Sequence, residues 1–136
     1  QQDEEENNLR KILNLGHTFA HAYEAAFSYS KKLNHGEAVI LGIISSANFS
    51  YQNKLLNKKD YKKIIKHIDR LKIKSNLKYY FKTKHINSII RYMKSDKKNN
   101  SSKINLILIK KIGKIILHNK FNVEKIKKFL KTELIY

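Results

Sequence analysis

Asn14-Leu15-Gly16-His17-Thr18-Phe19-Ala20-His21, followed by His35-Gly36-Glu37-Ala38-Val39, is the stretch on which the reading of this chain turns. Residues at i and i+4 share one face of a helix, so His17 and His21 can address one point in space. Neutral imidazole is both the commonest metal ligand and the usual acid/base near neutral pH. The spacing alone does not separate the two roles. It equally admits helix-capping or hydrogen-bonded packing histidines, with His35 read the same way.

Working outward, apolar positions Leu9, Ile12, Leu13, Phe19 and Ala20 recur at helical spacing. They predict one helix from about Asn8 to Phe27, its acidic start favoured by the helix dipole. Ser28–Asn34 is a polar break. A second helix is expected from His35 or Gly36 to about Asn53. Its run Ala38-Val39-Ile40-Leu41-Gly42-Ile43-Ile44 is apolar on nearly every side, which predicts a buried helix. Gly36 and Gly42 are expected to let another backbone approach closely. Further helices are expected over Lys59–Leu71, with Tyr61, Ile64, Ile65 and Ile68 as a stripe, and over Lys84–Met93. Ser95–Lys103 reads as a polar loop. Ile104–Ile109 and Lys114–His118, joined near Gly113, read as a β-hairpin, and Val123–Leu134 as a closing amphipathic helix. No repeat or linker divides the chain. The fold class is therefore mainly α, a single helical domain over 1–136 with a small β-hairpin near its C-terminus.

Composition narrows the possible functions. At 136 residues and 41% hydrophobic content the chain can build one modest core. The absence of cysteine excludes disulfides and thiolate metal sites, and fits a reducing cytoplasm. No apolar run approaches the roughly 18–20 residues that cross a bilayer, and the acidic start Gln1-Gln2-Asp3-Glu4-Glu5-Glu6 does not resemble a signal or transit peptide. A formal net charge of +18 invites a nucleic-acid reading. Yet only Arg10, Arg70 and Arg91 are arginines among the 29 basic residues. Nucleic-acid interfaces favour arginine for bidentate contacts. The lysines are scattered along amphipathic segments, and the abundance of Asn and Ile fits a compositional bias on tolerant surface positions. A basic, non-enzymatic nucleic-acid-binding module is thus the weaker alternative.

The spacing Glu6-x3-Arg10-x3-Asn14-x2-His17-x3-His21, then His35-Gly36-Glu37-Ala38-Val39, resembles the C-terminal domain of 3-dehydroquinate synthase, a sugar-phosphate cyclase. Met93-Lys94-Ser95-Asp96-Lys97-Lys98 looks like that family's Asp-Lys-Lys loop, and Ile112-Gly113-Lys114 like its late hairpin turn. The resemblance runs along the whole chain from Asp3. Other sugar-phosphate cyclases and metal-dependent alcohol dehydrogenases share looser versions of the pattern.

The resemblance implies conversion of 3-deoxy-D-arabino-heptulosonate 7-phosphate to 3-dehydroquinate and phosphate in the shikimate pathway. NAD acts catalytically there beside a divalent metal, usually Zn2+ or else Co2+. A transient ketone acidifies the neighbouring C–H so that phosphate can leave, and the metal serves as Lewis acid. By the same resemblance His17 and His35 are metal ligands, and Glu6 and His21 catalytic acid/bases. Arg10, Asn14 and Lys97 or Lys98 bind the anionic substrate. Glu37 is expected to fix the local turn or to support the ligands from behind rather than to bind metal, and His67, His85 and His118 to be surface or packing residues. No glycine-rich phosphate motif of the G-x-G-x-x-G kind occurs. The NAD-binding N-terminal domain and the carboxylate metal ligand would precede Asp3. The expected partners are that missing domain, the sugar-phosphate substrate and a second copy in a homodimer. The chain alone should not turn over.

Overall fold

A computed structural model describes residues 15–27, 32–71, 76–95 and 102–135, the side chains of 117–119 apart. The first described helix, α1, spans His17–Ala26. Gly16 precedes it at φ 77°, a left-handed conformation, and its carbonyl accepts the first helical bond from Ala20 N at 2.8 Å. Left-handed backbone is open to glycine without a Cβ penalty. The expectation of one helix through Asn8–Phe27 is therefore corrected. The helical path does not run through Gly16, and residues 8–14 lie outside the described residues.

α2 spans His35–Gln52 and begins with a reciprocal cap: Asn34 Oδ1 accepts from Glu37 N at 2.8 Å, and Glu37 Oε1 from Asn34 N at 3.1 Å. Glu37 fixes the turn as expected. α3 spans Lys58–Asp69 and is capped by Asn57, whose Oδ1 accepts from Asp60 N at 2.8 Å. Two 3-10 turns follow, Leu77–Tyr79 and Thr83–His85, then α4 over Ile86–Lys94. The second turn takes up the start of the helix expected from Lys84. His85 Nδ1 accepts there from Lys82 N at 2.9 Å, and its ring packs on Phe81.

β1 over Lys103–Lys111 and β2 over Lys114–Asn122 form an antiparallel pair, β1 longer than expected at both ends and β2 at its C-terminal end. Ile104 faces Phe121, Leu108 faces Ile116, and Lys111 faces Lys114 across the turn. Gly113 sits in that turn at φ 87°, where a Cβ would meet nothing; only the backbone conformation asks for glycine. α5 spans Val123–Ile135.

α1 packs on α2 and α4, β1 lies against α2, and α5 against α4. The core gathers Phe19 and Tyr23 from α1, Leu41 and Phe49 from α2, Ile89 and Met93 from α4, Ile104, Leu106 and Leu108 from β1, and Ile126 and Leu130 from α5. Each such large side chain contributes roughly 1.5–3 kcal/mol by leaving water. Buried Ser50 joins α2 to the hairpin: its Oγ donates to Ser46 O at 2.7 Å and accepts from Ile109 N at 3.1 Å.

Two glycine expectations part ways. A Cβ on Gly42 would collide with the Gly16 carbonyl oxygen and lie 3.0 Å from Ala20 N, so α1 and the turn before it ride directly on α2. A Cβ on Gly36 would meet only Asn34 Oδ1 at 3.5 Å, an ordinary contact, and the close approach expected there is absent. α2 is also less enclosed than its apolar run predicts. Val39, Ile40, Ile43 and Ile44 are half-buried, and Ile40 and Ile43 line an apolar groove of about 480 Å³ with Ile64, Ile68, Leu71 and Ile112. The hydrophobic run covers the helix's circumference, but the described neighbours, α1, α3 and β1, leave the groove beside Ile40 and Ile43 open.

Candidate functional site

The three motif histidines stand at the junction of α1 and α2. His17 opens α1 immediately after the left-handed Gly16, and His21 follows one turn on, so the two imidazoles share a face with ring centroids 4.4 Å apart. Both are exposed. Behind them, Phe19, Ala20, Ala22 and Tyr23 bury the opposite face of α1. The helix is thus anchored by its apolar side and presents its histidines outward.

His35 is the first residue of α2. Its Nδ1 bonds Glu24 Oε1 at 3.0 Å, with the His35 side chain 68% exposed and that of Glu24 14% exposed. Glu24 lies three residues after His21 and seven after His17, on the same face of α1. His35 meets that face through its bond to Glu24. Sequence reading passed over Glu24, although its spacing from the two histidines was a usable signal.

The start of α2 is braced a second time. Tyr80 Oη donates to Glu37 Oε2 at 3.0 Å, and burial, reinforced by the Glu37 carboxylate, pushes the phenol up to about 12. Tyr80 therefore remains a donor at neutral pH. Cap, carboxylate and phenol together fix the turn that carries His35.

His17 and His21 come together, and His35 joins Glu24. Among the described residues no three His, Asp or Glu side chains converge into a metal cluster. The other expected site residues, Glu6, Arg10, Asn14, Lys97 and Lys98, lie outside the described residues. Two exposed imidazoles on neighbouring helix starts suit a borderline-soft divalent ion that takes nitrogen donors and leaves positions for further ligands.

A separate polar cluster sits on another side of α2, lined by none of these histidines. There Glu133 Oε1 accepts from Asn48 Nδ2 at 2.5 Å and Asn48 Oδ1 from Tyr61 Oη at 2.5 Å, beside a cavity of about 300 Å³. Burial holds the Glu133 carboxyl above the ordinary glutamate value, against the lowering effect of its bonds from Asn48 and Gln52. Tyr23 Oη and Ser45 Oγ, 2.6 Å apart, form a further buried pair. No helix of the described residues is long and apolar enough to cross a membrane.

Comparison with known proteins agrees with the motif. The family model described as 3-dehydroquinate synthase C-terminal matches residues 1–99. The chain is 52% identical over 132 residues to the 3-dehydroquinate synthase of Pelagibacter ubique, covering 97% of this chain and 36% of that protein. It is 38% identical over 133 residues to the 3-dehydroquinate synthase of Zymomonas mobilis, covering 97% and 35%. It thus spans about a third of the length of these curated relatives. Among solved structures, the fold matches a crystal structure of 2-deoxy-scyllo-inosose synthase complexed with carbaglucose-6-phosphate, NAD+ and Co2+. That match has a TM-score of 0.71 at 22% identity, over 88% of this chain and 34% of the other, and it is a likeness of fold.

Proposed function

The chain belongs to the 3-dehydroquinate synthase C-terminal family, and we propose that it is the metal- and substrate-binding part of such an enzyme. The complete enzyme is an NAD- and metal-dependent carbon–oxygen lyase of the cytoplasm. It takes 3-deoxy-D-arabino-heptulosonate 7-phosphate to 3-dehydroquinate and phosphate. The observation that carries this reading is the outward-facing pair His17 and His21 on α1, with Glu24 a turn further on bonded to His35. A partner domain preceding this chain supplies the NAD site and the carboxylate ligand, and the complete protein pairs as a homodimer.

His17 and His35 hold the metal, which is Zn2+ or Co2+ and supplies Lewis-acid polarisation of a substrate oxygen when bound. His21, 4.4 Å from His17 ring to ring, moves a proton beside that centre. Arg10 and Asn14 orient the anionic substrate, Arg10 through its rigid donor fork. Lys97 or Lys98 neutralises a phosphate or carboxylate, and Glu6 acts as a second acid/base. The named relatives favour this substrate over those of other sugar-phosphate cyclases and of metal-dependent alcohol dehydrogenases, since the likeness to 2-deoxy-scyllo-inosose synthase is at the level of fold.

The test is made in the complete enzyme. His17→Ala should lose both metal and turnover. His21→Ala should keep its metal and lose turnover by about 10²- to 10⁴-fold, the usual contribution of a positioned acid/base. Elemental analysis beside an assay of phosphate release reads both. Equal metal loss in the two variants would overturn the role given to His21, and full metal retention in His17→Ala would overturn the metal assignment.

A further inference from the structure

We infer that Glu24 is a positioning residue for metal capture, holding the His35 imidazole in the one tautomer and orientation that presents Nε2 outward. The inference rests on the reading of His35 as a ligand. Its own basis is a bond formed across the α1–α2 connection, where Glu24 Oε1 lies 3.0 Å from His35 Nδ1.

An ionised carboxylate can only accept a hydrogen bond, so Nδ1 must carry the proton and donate. In a neutral imidazole that leaves the lone pair on Nε2. The burial of the two partners differs in a telling way. The Glu24 side chain is 14% exposed and that of His35 68% exposed. The carboxylate is the fixed member, held in the α1 wall, and the imidazole is the projecting one. Without that anchor an exposed histidine at a helix start samples several rotamers and both tautomers, and an ion must select one of them. With it, the donor atom is set in place before the ion arrives. Metal-bound histidines commonly donate their other ring N–H to a carboxylate for this reason, and loss of such a partner typically costs about 10- to 100-fold in metal affinity.

Glu24 acts through His35, its Oε1 lying 3.0 Å from Nδ1. Its second effect is geometric. Sharing one helix face with His17 and His21, it returns His35 to the face from which those two imidazoles project. The bond thus ties the first residue of α2 to the row on α1.

The experiment uses the complete enzyme in Glu24→Ala, Glu24→Gln and His35→Ala forms. Zn2+ affinity is read by competition with a chromophoric chelator, and the His35 ring-nitrogen shifts of the metal-free protein by 15N NMR. The wild type should show the Nδ1–H tautomer. Glu24→Ala should move His35 toward a tautomer mixture and weaken Zn2+ binding 10- to 100-fold. Glu24→Gln, whose carboxamide oxygen still accepts from Nδ1–H, should retain the tautomer and lose less. That graded order, with melting temperatures near wild type for the near-isosteric Gln form, separates positioning from general destabilisation. Zn2+ affinity and tautomer both unchanged in Glu24→Ala, while His35→Ala loses the metal, would overturn the inference and leave the ligand reading intact. Unchanged affinity in His35→Ala would overturn both.

Discussion

Gly42→Ala tests whether the histidine platform depends on the direct contact between α1 and α2. In the middle of an exposed helix this substitution normally stabilises by roughly 0.5–1 kcal/mol, through the lost backbone freedom of glycine. Here the new Cβ would fall on the Gly16 carbonyl oxygen and within 3.0 Å of both Ala20 N and Ala20 Cβ. Two of those three atoms are backbone, so no rotamer change relieves the overlap and the helices must part. Overpacking of this kind costs about 1–3 kcal/mol, which exceeds the propensity gain and reverses the sign. Displacing α1 would also shift His17 and His21 relative to His35. Thermal unfolding of the complete protein should show a lowered midpoint, and Zn2+ affinity should fall with it. Gly36→Ala is the internal control: its Cβ meets Asn34 Oδ1 at 3.5 Å, so it should be neutral or mildly stabilising. If Gly42→Ala matched Gly36→Ala or raised the midpoint, the close approach would be refuted.

Two further outcomes follow from the polar groups. Burial raises the Glu133 carboxyl in the folded state, so between its unfolded and folded values the native protein holds the extra proton. Stability then falls as pH rises through that window; Glu133→Gln should flatten this slope in melting curves taken from acid to neutral pH, and a wild type that instead gains stability over Glu133→Gln there would contradict the assignment. Asn34→Ala removes the acceptor for Glu37 N and should cost about 0.5–2 kcal/mol, read as a lower melting temperature; an unchanged midpoint would show that Glu37 and Tyr80 secure the turn without the cap.

Much of the fold was legible locally. The start of α2 at His35 or Gly36 was legible, and the structure closes it with a reciprocal cap between Asn34 and Glu37 satisfied within four residues. The hairpin was legible because β-branched runs flank a glycine that the turn places at φ 87°. The start of α1 was not. The apolar periodicity of Leu9, Ile12, Leu13, Phe19 and Ala20 runs straight through Gly16, and nothing in that rhythm registers the α2 backbone lying against it. The apolar run of α2 likewise announced burial without revealing which side would lack a described neighbour, hence the groove beside Ile40 and Ile43.

The site divides along the same line. The pairing of His17 with His21 was determined by the sequence, because an i, i+4 interval needs only one turn of helix to become a shared face. The return of His35 to that face was decided by tertiary structure. It depends on a 3.0 Å bond to Glu24 eleven residues away, and on two glycines, Gly16 and Gly42, whose missing side chains let the helices touch. Periodicity records what one element presents. The meeting of two elements is set by the atoms between them, and those are neighbours in space rather than along the chain.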